Sequence, residues 1–170
     1  ADGTLLYASV SRGVKSPGFN NGIISIGLTP EQYQFKSETL MAYEVGYKQD
    51  FWNRRANFNV SAFYYDYKDY DTLSFVGVAS FTNNNDARLY GIEGDFSVRP
   101  IDGLTIKLNA GYINSKLYNV PNAALISADR KMPLAPEWSV GGSIRYEMPV
   151  GEDFRLGFQA DGRARAAFYN

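Results

Sequence analysis

The chain has no cysteine and no histidine. The first absence excludes a disulfide framework. Together the two remove the ordinary ligands of a zinc site and the base of a Ser-His or Cys-His nucleophile. Neither sign of charge dominates: 17 Lys and Arg stand against 18 Asp and Glu, so the balance implies no nucleic acid and no acidic partner. No apolar run approaches the roughly 18 residues of a membrane helix, and the opening residues do not read as a signal peptide. If this chain enters a membrane, it does so as strands. No catalytic, cofactor-binding or metal-ligating residue emerges, and no cofactor is expected. What is plentiful suits β architecture: 13 Tyr, 11 Phe and 16 Gly in 170 residues.

Period-two alternation marks seven strands, because successive side chains of a strand point to opposite faces. Met41, Tyr43, Val45, Tyr47 and Phe51 share one face, interrupted only by Gln49, and Ala42, Glu44, Gly46, Lys48 and Asp50 share the other. The same split recurs around Phe58 to Tyr64, Tyr90 to Val98, Leu104 to Tyr112, Trp138 to Met148 and Phe154 to Ala160. The first strand, with Leu6, Ala8 and Val10 against Tyr7, Ser9 and Ser11, is less decisive. Connections alternate between tight turns (Trp52 to Arg55, Pro100 to Gly103, Pro149 to Asp153) and long segments (Gly13 to Lys36, Tyr70 to Asp86, Lys116 to Ala135). Short turns at one end and long loops at the other are the habit of transmembrane β-barrels.

A soluble antiparallel sheet alternates too, so the placement of aromatics decides. On the apolar face Tyr43, Tyr64, Tyr90, Tyr112 and Trp138 lie nearest the long-loop end, and Phe51, Phe58, Phe96, Tyr146 and Phe154 lie nearest the tight turns. Tyr43 to Phe51 spans eight residues, about 26 Å along a strand and roughly 20 Å after a tilt of about 40°. That is close to the height of a lipid-facing band, with these rings as its girdles. A soluble core would put its largest side chains at the centre instead. On the wet face, Asp95 is expected opposite Lys107 or, one pair away, opposite Asn109. The expectation is all-β, an antiparallel transmembrane β-barrel meander in the bacterial outer membrane. Seven strands are an odd number, and single-chain bacterial barrels have even ones, so residues 1–170 read as part of one larger barrel domain.

Several segments resemble TonB-dependent outer-membrane receptors. Leu6-Tyr7-Ala8-Ser9-Val10-Ser11-Arg12-Gly13-Val14-Lys15-Ser16-Pro17-Gly18-Phe19-Asn20 is similar to their strand and loop entry. Glu38-Thr39-Leu40 with Tyr43-Glu44-Val45-Gly46-Tyr47-Lys48 resembles the family's "PET...YE.G.K" strand, with Ser37 where proline is usual. Ala62 to Tyr67 resembles its "FY..DY" strand, and Asn85, Ala87, Gly91, Ile92, Glu93 and Gly94 its "N...A...G.E" strand. The resemblance implies a 22-stranded barrel, of which this is a later part, closed by an N-terminal plug. It also implies capture of a scarce nutrient (ferric siderophore, cobalamin or oligosaccharide) and import energised by TonB with ExbB and ExbD, through a TonB box outside this stretch. The expected partners are therefore outer-membrane lipid, these proteins and a small nutrient, with no nucleic acid.

Ligand contacts are sought in the long loops, where aromatic and amide side chains suit stacking and hydrogen bonding. The candidates are Phe19, Asn20, Asn21, Tyr33 and Gln34, then Phe75, Phe81, Asn83 and Asn84, then Asn119, Asn122, Asp129 and Arg130. Solvated loop residues would look the same. A passive porin shares the lipid-facing pattern and is the alternative function. A barrel enzyme needs a nucleophile or activated water with a base, against which the lack of histidine argues.

Overall fold

The computed structural model describes residues 3–20, 33–76, 79–121 and 127–167, with backbone only at 74–76, 79–81, 121 and 127. Its strands in chain order are β1 (Thr4–Lys15), β2 (Gly18–Phe19), β3 (Gln34–Phe35), β4 (Glu38–Phe51), β5 (Ala56–Val76), β6 (Ala79–Val98), β7 (Leu104–Pro121), β8 (Ser127–Arg130), β9 (Trp138–Val150) and β10 (Phe154–Arg165). Seven form one antiparallel meander in the order β1-β4-β5-β6-β7-β9-β10; β8 folds back on β7, and β2 pairs with β3. The expected all-β meander is present. Among the described residues it is an open sheet, with β1 and β10 at its edges.

Register keeps like faces together across all seven strands. One cross-strand row runs Leu6, Tyr47, Val60, Gly94, Ala110, Val140 and Ala164. The next pleat carries Tyr7, Gly46, Ser61, Glu93, Gly111, Ser139 and Arg165. A one-residue slip at any ladder would send an apolar row to the polar face, so each pairing reinforces the others. Asp95 falls opposite Asn109, and Lys107 opposite Ser97, because the hairpin pairs Val98 with Ile106. The Asp95 and Lys107 pairing therefore does not form.

Two tight turns show why the strands reverse where they do. At the first, Arg55 N–H donates to the Trp52 carbonyl at 3.0 Å while Asn53 and Arg54 take φ of 53° and 62°. Such left-handed residues give the turn the twist of its flanking strands. At the second, Gly103 has φ of 84°, and a Cβ there would overlap the Glu147 carbonyl oxygen.

The long connections correct the sequence reading, for much of their length is strand. β5 and β6 continue the hairpin to Val76 and from Ala79, past a register shift between Tyr67 and Tyr70 where Asp69 has φ of 55°. β7 passes a similar irregularity at Asn119, φ 54°, within its pairing with β8, between Leu117 and Val120. Alternation stops there because polar side chains such as Thr72, Asn83, Asn84 and Asn85 occupy successive positions. The backbone ladder, which carries no sequence signature of its own, goes on. Residues 21–32 of the first connection lie outside the described residues.

Among the described residues the wall has almost no buried core. Buried hydrophobic residues are Ala56, Ala87, Leu117 and Val120, whereas Leu6 is 77% exposed, Phe154 73% and Phe158 59%. A whole apolar face stands uncovered, far beyond the patches that monomeric soluble proteins show.

Candidate functional site

The aromatic rings expected at the rims all lie on the exposed apolar face. Tyr43, Tyr64 and Tyr90 face one another in a single row, and the Tyr43 and Tyr64 rings are 6.3 Å apart. Tyr112 and Trp138 are paired one step lower, since Tyr112 faces Ile92. At the tight-turn end Phe58 faces Phe96, and Tyr146 faces Phe158. Phe51 lies 6.3 Å from Phe96, and Phe154 faces Val150.

Directly beyond the upper row this face turns ionic. Arg88 donates to Asp66 at 3.1 Å, Lys68 to Asp86 at 2.7 Å, and Lys116 pairs with Asp129 at 2.8 Å. The cations of Arg88 and Lys116 lie 5.6 and 4.9 Å from the centre of the Tyr118 ring. Hydrogen bonds from Lys68 and Lys116 hold the Asp86 and Asp129 carboxyls below their ordinary range. The same bonds raise the two lysines.

The opposite face has two zones. Between the tight turns and mid-wall it is polar: Asn59 donates to Asp95 at 2.7 Å and the Tyr7 hydroxyl to Glu44 at 2.6 Å. Lys48 stands 5.6 Å over the Tyr7 ring. Tyr7, Lys48, Asn59, Ser61, Glu93 and Asp95 line a groove of about 460 Å³ there. Nearer the long connections the same face becomes apolar. Its rows on β5, β6 and β7 are Phe63, Gly91 and Ile113, with Glu44 of β4 opposite Phe63, then Tyr65 and Leu89, then Tyr67, Ala87 and Leu117, with Leu40 of β4 opposite Tyr67. Phe63 covers Gly91, where a Cβ would come within 2.8 Å of its ring, and lies 5.2 Å from Tyr65. This zone was not expected. Its signal was available, since Phe63-Tyr64-Tyr65 puts aromatics on both phases of one strand.

The loop candidates are scattered. Phe19 is exposed in β2. Asn20 is buried, accepting from the Thr82 N–H at 2.8 Å and donating to the Thr82 carbonyl at 3.2 Å, while its own N–H donates to Tyr33. That amide ties β2 to β6. Gln34 lies in β3. Asn83 accepts through its carbonyl from Thr72, and Asn84 donates to the Asp69 carbonyl at 2.9 Å and Asp71 at 2.8 Å. Asn119 N–H donates to Asp129 at 3.2 Å. Phe75 and Phe81 belong to the β5–β6 hairpin, Phe75 opposite Ser80 and Phe81 opposite Ser74, but their side chains lie outside the described residues, as do Asn21 and Asn122. Arg130 is exposed at the end of β8. Asn85 was missed as a fastener: buried, it accepts from Thr72 Oγ1 and donates to the carbonyls of Tyr118 at 3.2 Å and Asn119 at 3.0 Å.

A protein-family model described as "TonB dependent receptor-like, beta-barrel" matches residues 1–170. The chain belongs to this family. It is a family of transporters rather than enzymes, and its barrels are those of the bacterial outer membrane. No solved structure matches the chain. Among the described residues no group of three or more Asp, Glu, Cys or His side chains could hold a metal ion. No helix among them is long and apolar enough to cross a membrane, which says nothing about a β-barrel.

Proposed function

We propose that this chain is wall and rim of an outer-membrane receptor that captures a scarce nutrient at the long-connection end. Import to the periplasm is energised by TonB with ExbB and ExbD. The observation that carries the reading is the exposed apolar face, continuous over seven strands and bounded by aromatic rows, with ion pairs starting one row beyond Tyr64 and Tyr90. In water such a face is unfavourable by roughly 25 cal/mol for every Å² exposed; lipid removes that cost. The tyrosine and tryptophan row then meets the outer interface, the phenylalanine row the periplasmic one, and the polar face the lumen. Membership of the family supports the coupling to TonB.

The test is uptake by cells lacking the full gene, complemented or not, in backgrounds with and without tonB. Labelled ferric siderophore, cobalamin and oligosaccharide are the three arms. One arm should require both genes. Uptake that needs this gene but is indifferent to tonB would replace the receptor by a passive channel.

A further inference from the structure

The best-packed point among the described residues lies above the aromatic rows, where β5, β6, β7 and β8 meet. Ala87, Leu117 and Val120 are buried there against Tyr67, Tyr70 and Met132. Beside the cluster opens a cavity of about 720 Å³, walled by Tyr70, Leu73, Leu117, Val120 and Pro133. That volume falls within the range of small-molecule sites, which are mostly apolar with a few placed polar groups. Three charged residues line it, and two are already neutralised. Asp71 takes Lys15 at 2.6 Å, and Lys131 pairs with Glu137. Arg130 is the third. Among the described residues, no carboxylate lies within ion-pair reach of its exposed guanidinium.

An apolar cavity with one uncommitted guanidinium selects for a ligand with an apolar body and an acidic head. Arginine favours a planar carboxylate in particular, through two parallel N–H···O bonds. The apolar zone of the polar face begins at this cavity, with Leu117 common to the cavity and to the row of Tyr67 and Ala87. An apolar body leaving the cavity would therefore meet Tyr65 and Leu89 first, and then Phe63 and Ile113 in the row that also carries Glu44.

We infer that this cavity binds an amphipathic anion, its apolar body against Tyr70, Leu117 and Val120 and its acid group on Arg130. The inference rests on the receptor reading and gives that reading a substrate class. It assigns Arg130 the acid-binding role and adds five wall residues that the loop sequences did not suggest.

The test uses the full-length receptor in lipid nanodiscs, titrated with 2-naphthylacetate and its neutral isostere 2-naphthylacetamide, with empty discs as blank. The acid should bind at least about tenfold more tightly than the amide, a difference of about 1.4 kcal/mol. Arg130→Gln should abolish the difference, and Arg130→Lys should keep part of it. Leu73→Asn, at an exposed wall position, should weaken both ligands alike. Equal affinities for acid and amide, discrimination that survives Arg130→Gln, or binding of neither would overturn the inference. The two readings fail separately. Discrimination at Arg130 without tonB-dependent uptake of the acid leaves the site and removes the transporter. Uptake that needs tonB from a receptor blind to the acid does the reverse.

Discussion

Tyr7 of β1 lies across Gly46 of β4, its direct partner in the ladder, so closely that a Cβ at position 46 would overlap the ring. The missing side chain is what lets the ring lie along the wall and reach Glu44 with its hydroxyl. Gly46→Ala should therefore destabilise the full-length barrel by about 1–3 kcal/mol, the usual cost of overpacking. In a Tyr7→Ala background the same change should be nearly neutral. Urea unfolding of the four proteins of this cycle in liposomes measures the coupling, and additive effects would refute it.

Face assignment is testable within one strand. Val60 lies in the middle row of the apolar face, and Asn57 on the polar face between Asp50 and Ser97. Val60→Lys should cost about 2–4 kcal/mol if that face meets lipid near the midplane. Asn57→Lys should change stability by no more than about 0.5 kcal/mol. Equal effects in liposome unfolding would mean that the apolar face does not meet lipid.

Asn85 holds the top of β6 to the irregular stretch of β7. Replacing it by alanine leaves the Tyr118 and Asn119 carbonyls without their donor, at a cost of about 1–3 kcal/mol. Asn85→Asp should be worse, because it sets a carboxylate against two carbonyl oxygens. The readout is the rate of limited proteolysis between Tyr118 and Arg130 in the reconstituted receptor, expected to rise in the order wild type, alanine, aspartate.

The ion pairs above the tyrosine row give a pH dependence with a definite sign. Asp86 and Asp129 are depressed, so what they contribute is complete above the unfolded aspartate pKa of about 3.9 and disappears as pH falls through the lower folded values. Lys68 and Lys116 are raised, so theirs is complete below about 10.4 and disappears as pH rises through the higher folded values. A nitroxide at Ala128→Cys should show constant mobility from about pH 5 to 9 and loosen below about 4. With Asp129→Asn it should be mobile throughout. A transition near neutrality would contradict the assignment.

Most of what lies between the aromatic rows was legible in the sequence, because there one face is apolar and the other largely polar, and the pleat writes that difference with period two; the row of Phe63, Gly91 and Ile113 is the exception. Tyr43, Tyr64 and Tyr90 were placed on one face and at one rim before any pairing was known. Register was not legible: the turn after Pro100 allowed Asp95 two partners, and only the ladder chose Asn109. Above the rows both faces carry polar groups, so Thr72, Asn83 and Asn85 read as loop although they sit in strands. The cavity escaped for a related reason. Tyr70, Leu117 and Val120 come from strands far apart in sequence and meet only because irregularities at Asp69 and Asn119 turn the chain.

In the proposed orientation the β5–β6 hairpin, which runs twelve residues past Tyr64 to Val76, reaches on the order of 30 Å beyond the membrane surface once strand rise and tilt are allowed for. There it is open to antibodies, phage tails and proteases outside the cell. Its ladder hydrogen bonds then acquire a defensive meaning: a paired backbone offers a protease no extended, unpaired segment to grip. Variation among strains of the same bacterium should accordingly concentrate at the hairpin's tip and leave its paired stem alone.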